Sequence, residues 1–243
     1  MKKGPLQKQK IVNSHSIAMQ QYLPFIKMEK RYYLPKLGDS ETIIVRLDGK
    51  GMTKKFLRNN LISESHFSAM KQMMQGIVKH CPYITFAYST NDEVSFVIKD
   101  NAITSNQIER RAEKLLSYLS GFVSSLYTLG ISDKTEKRAY SFDSRAIIVN
   151  NSEALKHYYC LRQKIAIGYF IEKLCIKNSL PQKAYTIDEI KIALKSKGND
   201  WDNYPQYIPW GYVGFYDDTN TWIVEEAKSF ETDWTYYTIK TRE

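Results

Sequence analysis

Apolar and polar positions along the chain fall into runs of two periods. Thr42-Ile43-Ile44-Val45-Arg46-Leu47 is a β-branched run that stops at Asp48-Gly49, the pattern of a buried strand. Phe67, Met70, Met74 and Ile77 recur at helical spacing and predict a helix over 63–80. Two more strands, Tyr83 to Tyr88 and Glu93 to Ile98, flank the polar turn Ser89-Thr90-Asn91-Asp92 and predict a hairpin. A long helix is expected from about 105 to 129, opened by a capping box at Thr104 and Gln107 and striped by Ile108, Ala112, Leu115, Leu119, Phe122 and Leu126. Ala146 to Val149 is a fourth strand, and Leu155, Tyr159, Arg162, Ala166 and Tyr169 mark a helix over 152–177. A shorter helix is expected near 186–196, and the tail 209–243, rich in Trp, Tyr and Thr, reads as irregular strands. The order β-α-ββ-α-β predicts an α/β fold of the α+β kind. Its core is a ferredoxin-like, palm-like sheet with helices on one face, added helices and a strand-rich C-terminal extension. The expected divisions are a basic segment 1–36, a catalytic core 37–150, and a helical, aromatic extension 151–243 packed on that core.

With 43% hydrophobic and 25% charged residues, the composition excludes disordered, collagen-like and coiled-coil classes. No apolar run reaches the ~18–20 residues of a membrane span, and the basic N-terminus lacks the apolar stretch of a secretory signal. Cys81, Cys160 and Cys175 are odd in number without C-x-x-C spacing, and none of the four histidines forms an H-x-x-x-H pair. Reduced thiols and a cytoplasmic location are therefore expected, with no zinc site. Charge alters the picture more. The net +9 is uneven: residues 1–36 carry +7, residues 217–243 carry −4, and the stretch between them +6. A polyanionic partner is the implied class.

Asp48 and Asp92 stand out because they interrupt apolar strands. If the first strand lies beside the hairpin, both acids meet at one sheet edge, where they must hold cations or share a proton. Mg²⁺ is the natural guest, since it takes one or two carboxylates and bridges substrate phosphates. The same residues also suit ordinary turns. The loop Gly49-Lys50-Gly51-Met52-Thr53-Lys54-Lys55 has glycines able to aim N–H groups at a phosphate, followed by lysines. Arg110, Arg111 and Lys114 lie in the first half of the expected long helix, where they could hold a triphosphate or form a solvated face with Glu109 and Glu113. Together these pieces point to metal-assisted phosphoryl or nucleotidyl transfer.

Val45-Arg46-Leu47-Asp48-Gly49-Lys50-Gly51 and Ala87-Tyr88-Ser89-Thr90-Asn91-Asp92-Glu93-Val94 resemble the two metal motifs of the tRNA(His) guanylyltransferase family. Arg110-Arg111-Ala112-Glu113-Lys114, Phe142-Asp143-Ser144-Arg145, Leu161-Arg162-Gln163 and Trp201-Asp202-Asn203-Tyr204-Pro205 with Gly211 are similar to four more of its segments, in order. The resemblance implies a polymerase-type palm that adds nucleotides to the 5′ end of tRNA or tRNA-like RNA, in the 3′–5′ direction, after ATP or GTP activates the end. It implies two Mg²⁺ ions on Asp48, Asp92 and the Gly49 carbonyl, supported by Glu93. Lys50, Gly51, Met52, Thr53, Lys54, Asn91, Arg110, Arg111 and Lys114 would bind nucleotide. RNA would meet Arg145 and Arg162, with Lys2, Lys3, Lys8 and Lys10 on its phosphates. A homo-oligomer, dimer or tetramer, is implied by the resemblance alone. The family's H-I-N-N-L-Y-N element is replaced here by Ile167-Gly168-Tyr169-Phe170-Ile171-Glu172-Lys173, and its K-P-N-D element is missing. These departures make the chain more similar to the divergent like-protein branch, which repairs truncated 5′ ends, than to the guanosine-adding enzymes. Nucleotide cyclisation on the same palm, or binding of tRNA or nucleotide without catalysis, are the other two classes compatible with these residues.

Overall fold

The computed structural model describes residues 42–52, 63–98, 111–131, 138–181 and 185–238. Lys2, Lys3, Lys8, Lys10, Thr53, Lys54, Arg110 and the Thr104–Gln107 box lie outside these residues. In chain order the elements are β1 (Thr42–Gly49), α1 (Glu64–Ile77), β2 (Ile84–Thr90), β3 (Glu93–Ile98), α2 (Ala112–Gly130), β4 (Phe142–Val149), α3 (Ser152–Lys177) and α4 (Ile187–Lys195). A 3₁₀ turn (Trp201–Asn203) follows, then α5 (Tyr207–Trp210), β5 (Tyr212–Tyr216), β6 (Trp222–Glu226) and α6 (Phe230–Thr238). The strands form one six-stranded sheet ordered β4-β1-β3-β2-β5-β6, with every pairing antiparallel. Its first four strands have the 4-1-3-2 order of a ferredoxin-like core.

Period-two alternation assigns the faces. Ile43, Val45 and Leu47 of β1, with Val94, Phe96 and Ile98 of β3, meet Phe67, Met70 and Met74 of α1 and Leu115, Leu119 and Val123 of α2 in one core. Fully burying each such side chain contributes about 1.5–3 kcal/mol. The opposite face carries Phe86, Tyr88, Val97, Val213 and Phe215, and is covered by Tyr159 of α3 and by Phe230, Trp234 and Tyr237 of α6. Helices therefore cover both faces, not the single face expected from the element order. The second layer comes from the C-terminal extension, and its aromatic rings pack edge to face, Phe230 against Tyr88 with centroids 4.8 Å apart.

Three further differences have local reasons. The tail is not all strand. Phe230, Trp234 and Tyr237 recur at helical spacing and dock α6, overriding the strand preference of Thr, Tyr and Trp. The long helix begins at Ala112, with Arg111 extended at φ −91 and ψ 108 in the N-cap position. Its buried stripe runs through Ala112, Leu115, Leu119, Val123 and Tyr127, and residues 105–110 of the expected helix lie outside the described residues. The strands also run further than their apolar cores. β1 includes Asp48 and Gly49, β2 includes Ser89 and Thr90, and β4 starts at Phe142 and takes in Asp143, Ser144 and Arg145, because ladder pairing continues through these positions. The hairpin turn is accordingly just Asn91-Asp92. α4 opens with a full capping box between Thr186 and Glu189. Cys81, Cys160 and Cys175 are free thiols, and among the described residues no helix is long and apolar enough to cross a membrane.

Candidate active-site cleft

Acidic residues converge where β1 ends and the hairpin turns. The register sets Asp48 opposite Glu93 on one side and opposite Asp143 on the other. Asp92 follows Asn91, whose φ of 49 gives the backbone reversal a tight hairpin requires. The Gly49 N–H donates to the Asp92 carbonyl at 2.8 Å, which ties the end of β1 to the turn. Gly211, at φ +84, passes so close that a Cβ there would lie 2.2 Å from the Ser89 carbonyl oxygen. Only glycine fits that crossing behind the hairpin.

Beneath the turn, His66 of α1 is fully buried. Its Nε2 lies 2.7 Å from the Asn91 carbonyl and its Nδ1 2.7 Å from the Tyr127 hydroxyl. A carbonyl only accepts, so Nε2 carries the hydrogen and Nδ1 accepts from Tyr127. Burial pushes His66 below its ordinary pKa and Tyr127 above its own, so both are neutral. The relay braces the residue immediately before Asp92.

Asp48 and Asp92 line one side of a cleft of about 290 Å³, with Thr90, Asn91 and Glu93. Arg162, Ile165, Ala166, Tyr169 and Lys173 of α3 line the other. Burial, then the negative charges of Asp92 and Asp143, raise the Asp48 carboxyl above its ordinary value, opposed by Arg46 and Arg145. Glu93 is raised by burial and opposed by Arg162 and Arg46. Its carboxylate is held by Arg162 through two hydrogen bonds, one Nε–Oε1 contact of 2.8 Å and a second from Nη2, while the Arg46 Nε stands 3.6 Å away. Glu93 thus spends its oxygens on guanidinium groups and shapes the cleft through them.

The donor set suits a hard divalent cation. Mg²⁺ needs one or two carboxylates, with water and phosphate oxygens completing its shell. Among the described residues no group of three or more His, Cys, Asp or Glu side chains is arranged to hold a metal. Asp48 and Asp92, with a backbone oxygen such as that of Gly49, could hold such an ion, water and phosphate completing its shell.

The model of the family described as tRNAHis guanylyltransferase matches residues 26–150. The chain belongs to that family. It is 29% identical over 153 residues to tRNA(His) guanylyltransferase 1 of Arabidopsis thaliana, covering 59% of this chain and 25% of that protein. It is 30% identical over 195 residues to the tRNA(His) guanylyltransferase of Neurospora crassa, covering 71% and 66%. The chain thus spans from a quarter to about two thirds of the length of these two relatives. In fold it is similar to a bacterial tRNA(His) guanylyltransferase-like protein in complex with ATP, with a TM-score of 0.74, 18% identity, and coverage of 90% and 99%. The Saccharomyces cerevisiae tRNA(His) guanylyltransferase aligns with a TM-score of 0.64, 20% identity, and coverage of 84% and 97%.

Within this family fold the expected site residues divide. Asp48, Asn91, Asp92, Glu93 and Arg162 share the cleft, Gly49 ends β1, and Lys50 and Gly51 follow directly from it. Lys50 and Gly51 are exposed, whereas the Met52 side chain is 1% exposed and packs in the core, leaving only its backbone to meet a phosphate. Arg111 and Lys114 are not beside the carboxylates. The C-terminal half of α2, through Tyr127, reaches the hairpin, and Lys114 lies thirteen residues earlier, roughly 20 Å along the axis at 1.5 Å per residue. Arg111 pairs with Glu113. Arg162, expected on RNA, is turned instead to Glu93, while Arg145 is exposed on β4 with Asp143 at 3.8 Å. Arg46, His66, Tyr169 and Lys173 were not anticipated as parts of the site. For α3 a signal existed, since the stripe Arg162, Ala166, Tyr169 reaches Lys173 at its next step.

Proposed function

We propose that this chain is a nucleotidyltransferase that adds nucleotides to the 5′ end of tRNA or tRNA-like RNA, in the 3′–5′ direction, after a nucleoside triphosphate activates the 5′ phosphate. The observation that carries this reading is the meeting of Asp48 and Asp92 at the hairpin edge, in a chain of the tRNA(His) guanylyltransferase family. Two Mg²⁺ ions held by Asp48, Asp92 and the Gly49 carbonyl would neutralise phosphate charge there. Asp48 and Asp92 would act by holding the cations that position the reacting phosphates, and the Gly49–Gly51 turn with Lys50 receives a triphosphate. The Arg162–Glu93–Arg46 group fixes the floor of the cleft. ATP and GTP are the proposed triphosphates, since solved family relatives are complexes with each.

The α3 stretch Ile167 to Lys173, which lacks the family's H-I-N-N-L-Y-N, favours repair of truncated 5′ ends over selective guanosine addition to tRNA(His). Choice of nucleotide then falls to pairing with the opposing strand, and the protein needs shape and backbone contacts only. Arg145 and the N-terminal lysines are the proposed RNA contacts, in a homo-oligomer. A 5′-truncated tRNA transcript, as triphosphate and as monophosphate, incubated with Mg²⁺ and all four NTPs, is the test. Extension templated by the opposing strand is expected, abolished by Asp48→Ala or Asp92→Ala. No extension on either end by the wild-type protein refutes the reading.

A further inference from the structure

The α3 wall of the cleft is unaccounted for by the metal and triphosphate elements. Arg162, Ala166, Tyr169 and Lys173 are spaced by four, three and four residues, so they form one helical stripe facing Asp48 and Asp92. Arg162 is committed to Glu93. The remaining polar positions, Tyr169 and Lys173, are one turn apart. Tyr169 is 55% exposed and has no ring partner among the described residues, whereas the adjacent Phe170 is buried against Trp201 and Tyr204. Lys173 is half-buried with no ion pair within 4 Å among the described residues, close enough to Asp92 to feel its charge. A free aromatic face beside a lysine, across a narrow cleft from two carboxylates, matches a nucleotide: a base to stack and a phosphate to neutralise.

The reaction brings two nucleotides together at the carboxylates. Lys50 and Gly51 lie outside the cleft lining, just past the end of β1, and are the proposed contacts of the incoming triphosphate. The α3 wall is left for the other partner. Resting on the nucleotidyltransferase reading, we propose that Tyr169 and Lys173 clamp the 5′-terminal nucleotide of the acceptor RNA, with Tyr169 stacked on its base and Lys173 on its 5′ phosphate. Stacking tolerates any base, as an end-repair enzyme that meets every terminal nucleotide requires.

The test is equilibrium binding of the full-length protein to a truncated tRNA whose 5′-terminal base is 2-aminopurine, with Mg²⁺ and no NTP. Stacking quenches the fluorophore. Quenching is expected with wild type and Tyr169→Phe and lost with Tyr169→Ala, whose Kd for RNA should rise roughly ten-fold for all four terminal bases. Lys173→Met should weaken 5′-phosphorylated RNA roughly ten-fold and 5′-hydroxyl RNA far less, with Lys173→Arg restoring the difference. Equal quenching by wild type and Tyr169→Ala overturns the proposal, as does equal weakening of both RNA ends by Lys173→Met. Tyr169-dependent quenching of 2-aminopurine riboside triphosphate, with none of the RNA end, assigns the wall to the incoming nucleotide and also overturns it. If the wild type extends no RNA yet Tyr169-dependent quenching persists, nucleotidyl transfer is what fails and the clamp stands. Tyr169 is exposed, so far-UV circular dichroism of its variants should match wild type.

Discussion

Replacing Arg162 by Met tests how the cleft floor is held. Glu93 and Arg162 have side chains 10% and 20% exposed, and their Nε–Oε1 contact is 2.8 Å. At an effective dielectric of about 20, unit charges at that distance attract by about 6 kcal/mol before desolvation is subtracted. Arg46 stays 3.6 Å from the same carboxylate and by the same arithmetic retains about 4–5 kcal/mol of gross attraction. Removing one partner of a buried pair costs about 3–5 kcal/mol, and the surviving Arg46 places Arg162→Met near 3. For a domain of this size that lowers the melting temperature by about 6–12 °C. The double variant Arg162→Met/Glu93→Gln should be less unstable than the sum of the singles, since the carboxylate that Arg162 neutralises is gone, although Arg46 then loses its own partner. Burial already raises Glu93 above its ordinary 4.5, and losing Arg162 raises it further. A carboxyl raised in the fold favours the protonated native state, so the deficit is full above the folded pKa. It shrinks as pH falls through that value and vanishes below about 4.5. Urea melts of wild type, both single variants and the double variant at pH 7 and pH 5 measure all of this. A single-variant loss below about 1 kcal/mol, or a double variant as unstable as the sum of the singles, refutes the buried-pair reasoning.

Three other outcomes follow from the same cleft. Asp48→Asn relieves a carboxylate that burial, Asp92 and Asp143 raise, so without divalent cations it should melt about 2–4 °C higher, a screened gain of about 1 kcal/mol. That gain disappears below about pH 3.8, where Asp48 is protonated anyway, and Mg²⁺ should stabilise wild type more than the variant in a thermal shift assay. His66→Leu deprives the Asn91 carbonyl of its donor and the Tyr127 hydroxyl of its acceptor, for a cost of about 2–3 kcal/mol by chemical denaturation. Gly211→Ala forces a Cβ 2.2 Å from the Ser89 oxygen at φ +84 and should cost about 2–4 kcal/mol in the same assay.

Much of this molecule can be read along the chain. β-branched runs that end in Asp-Gly or Asn-Asp mark β1 and the hairpin, because burial on both faces and reversal of the backbone each demand particular residue types. The helix over 152–177 shows in its stripe for the same local reason, and the order of strands and helices is enough to reach a ferredoxin-like sheet. The paired carboxylates are legible too, since acids that break apolar strands are conspicuous. What stays hidden depends on contacts distant in sequence. α6 is set by the aromatic face awaiting it. The partner of Glu93 lies 69 residues away on α3, and the brace under Asp92 joins His66 to Asn91 and Tyr127. Periodicity orders residues along an element. It does not say which end of α2 meets the hairpin, and so it could not tell that Lys114 stands far from the carboxylates while Tyr169 and Lys173 face them.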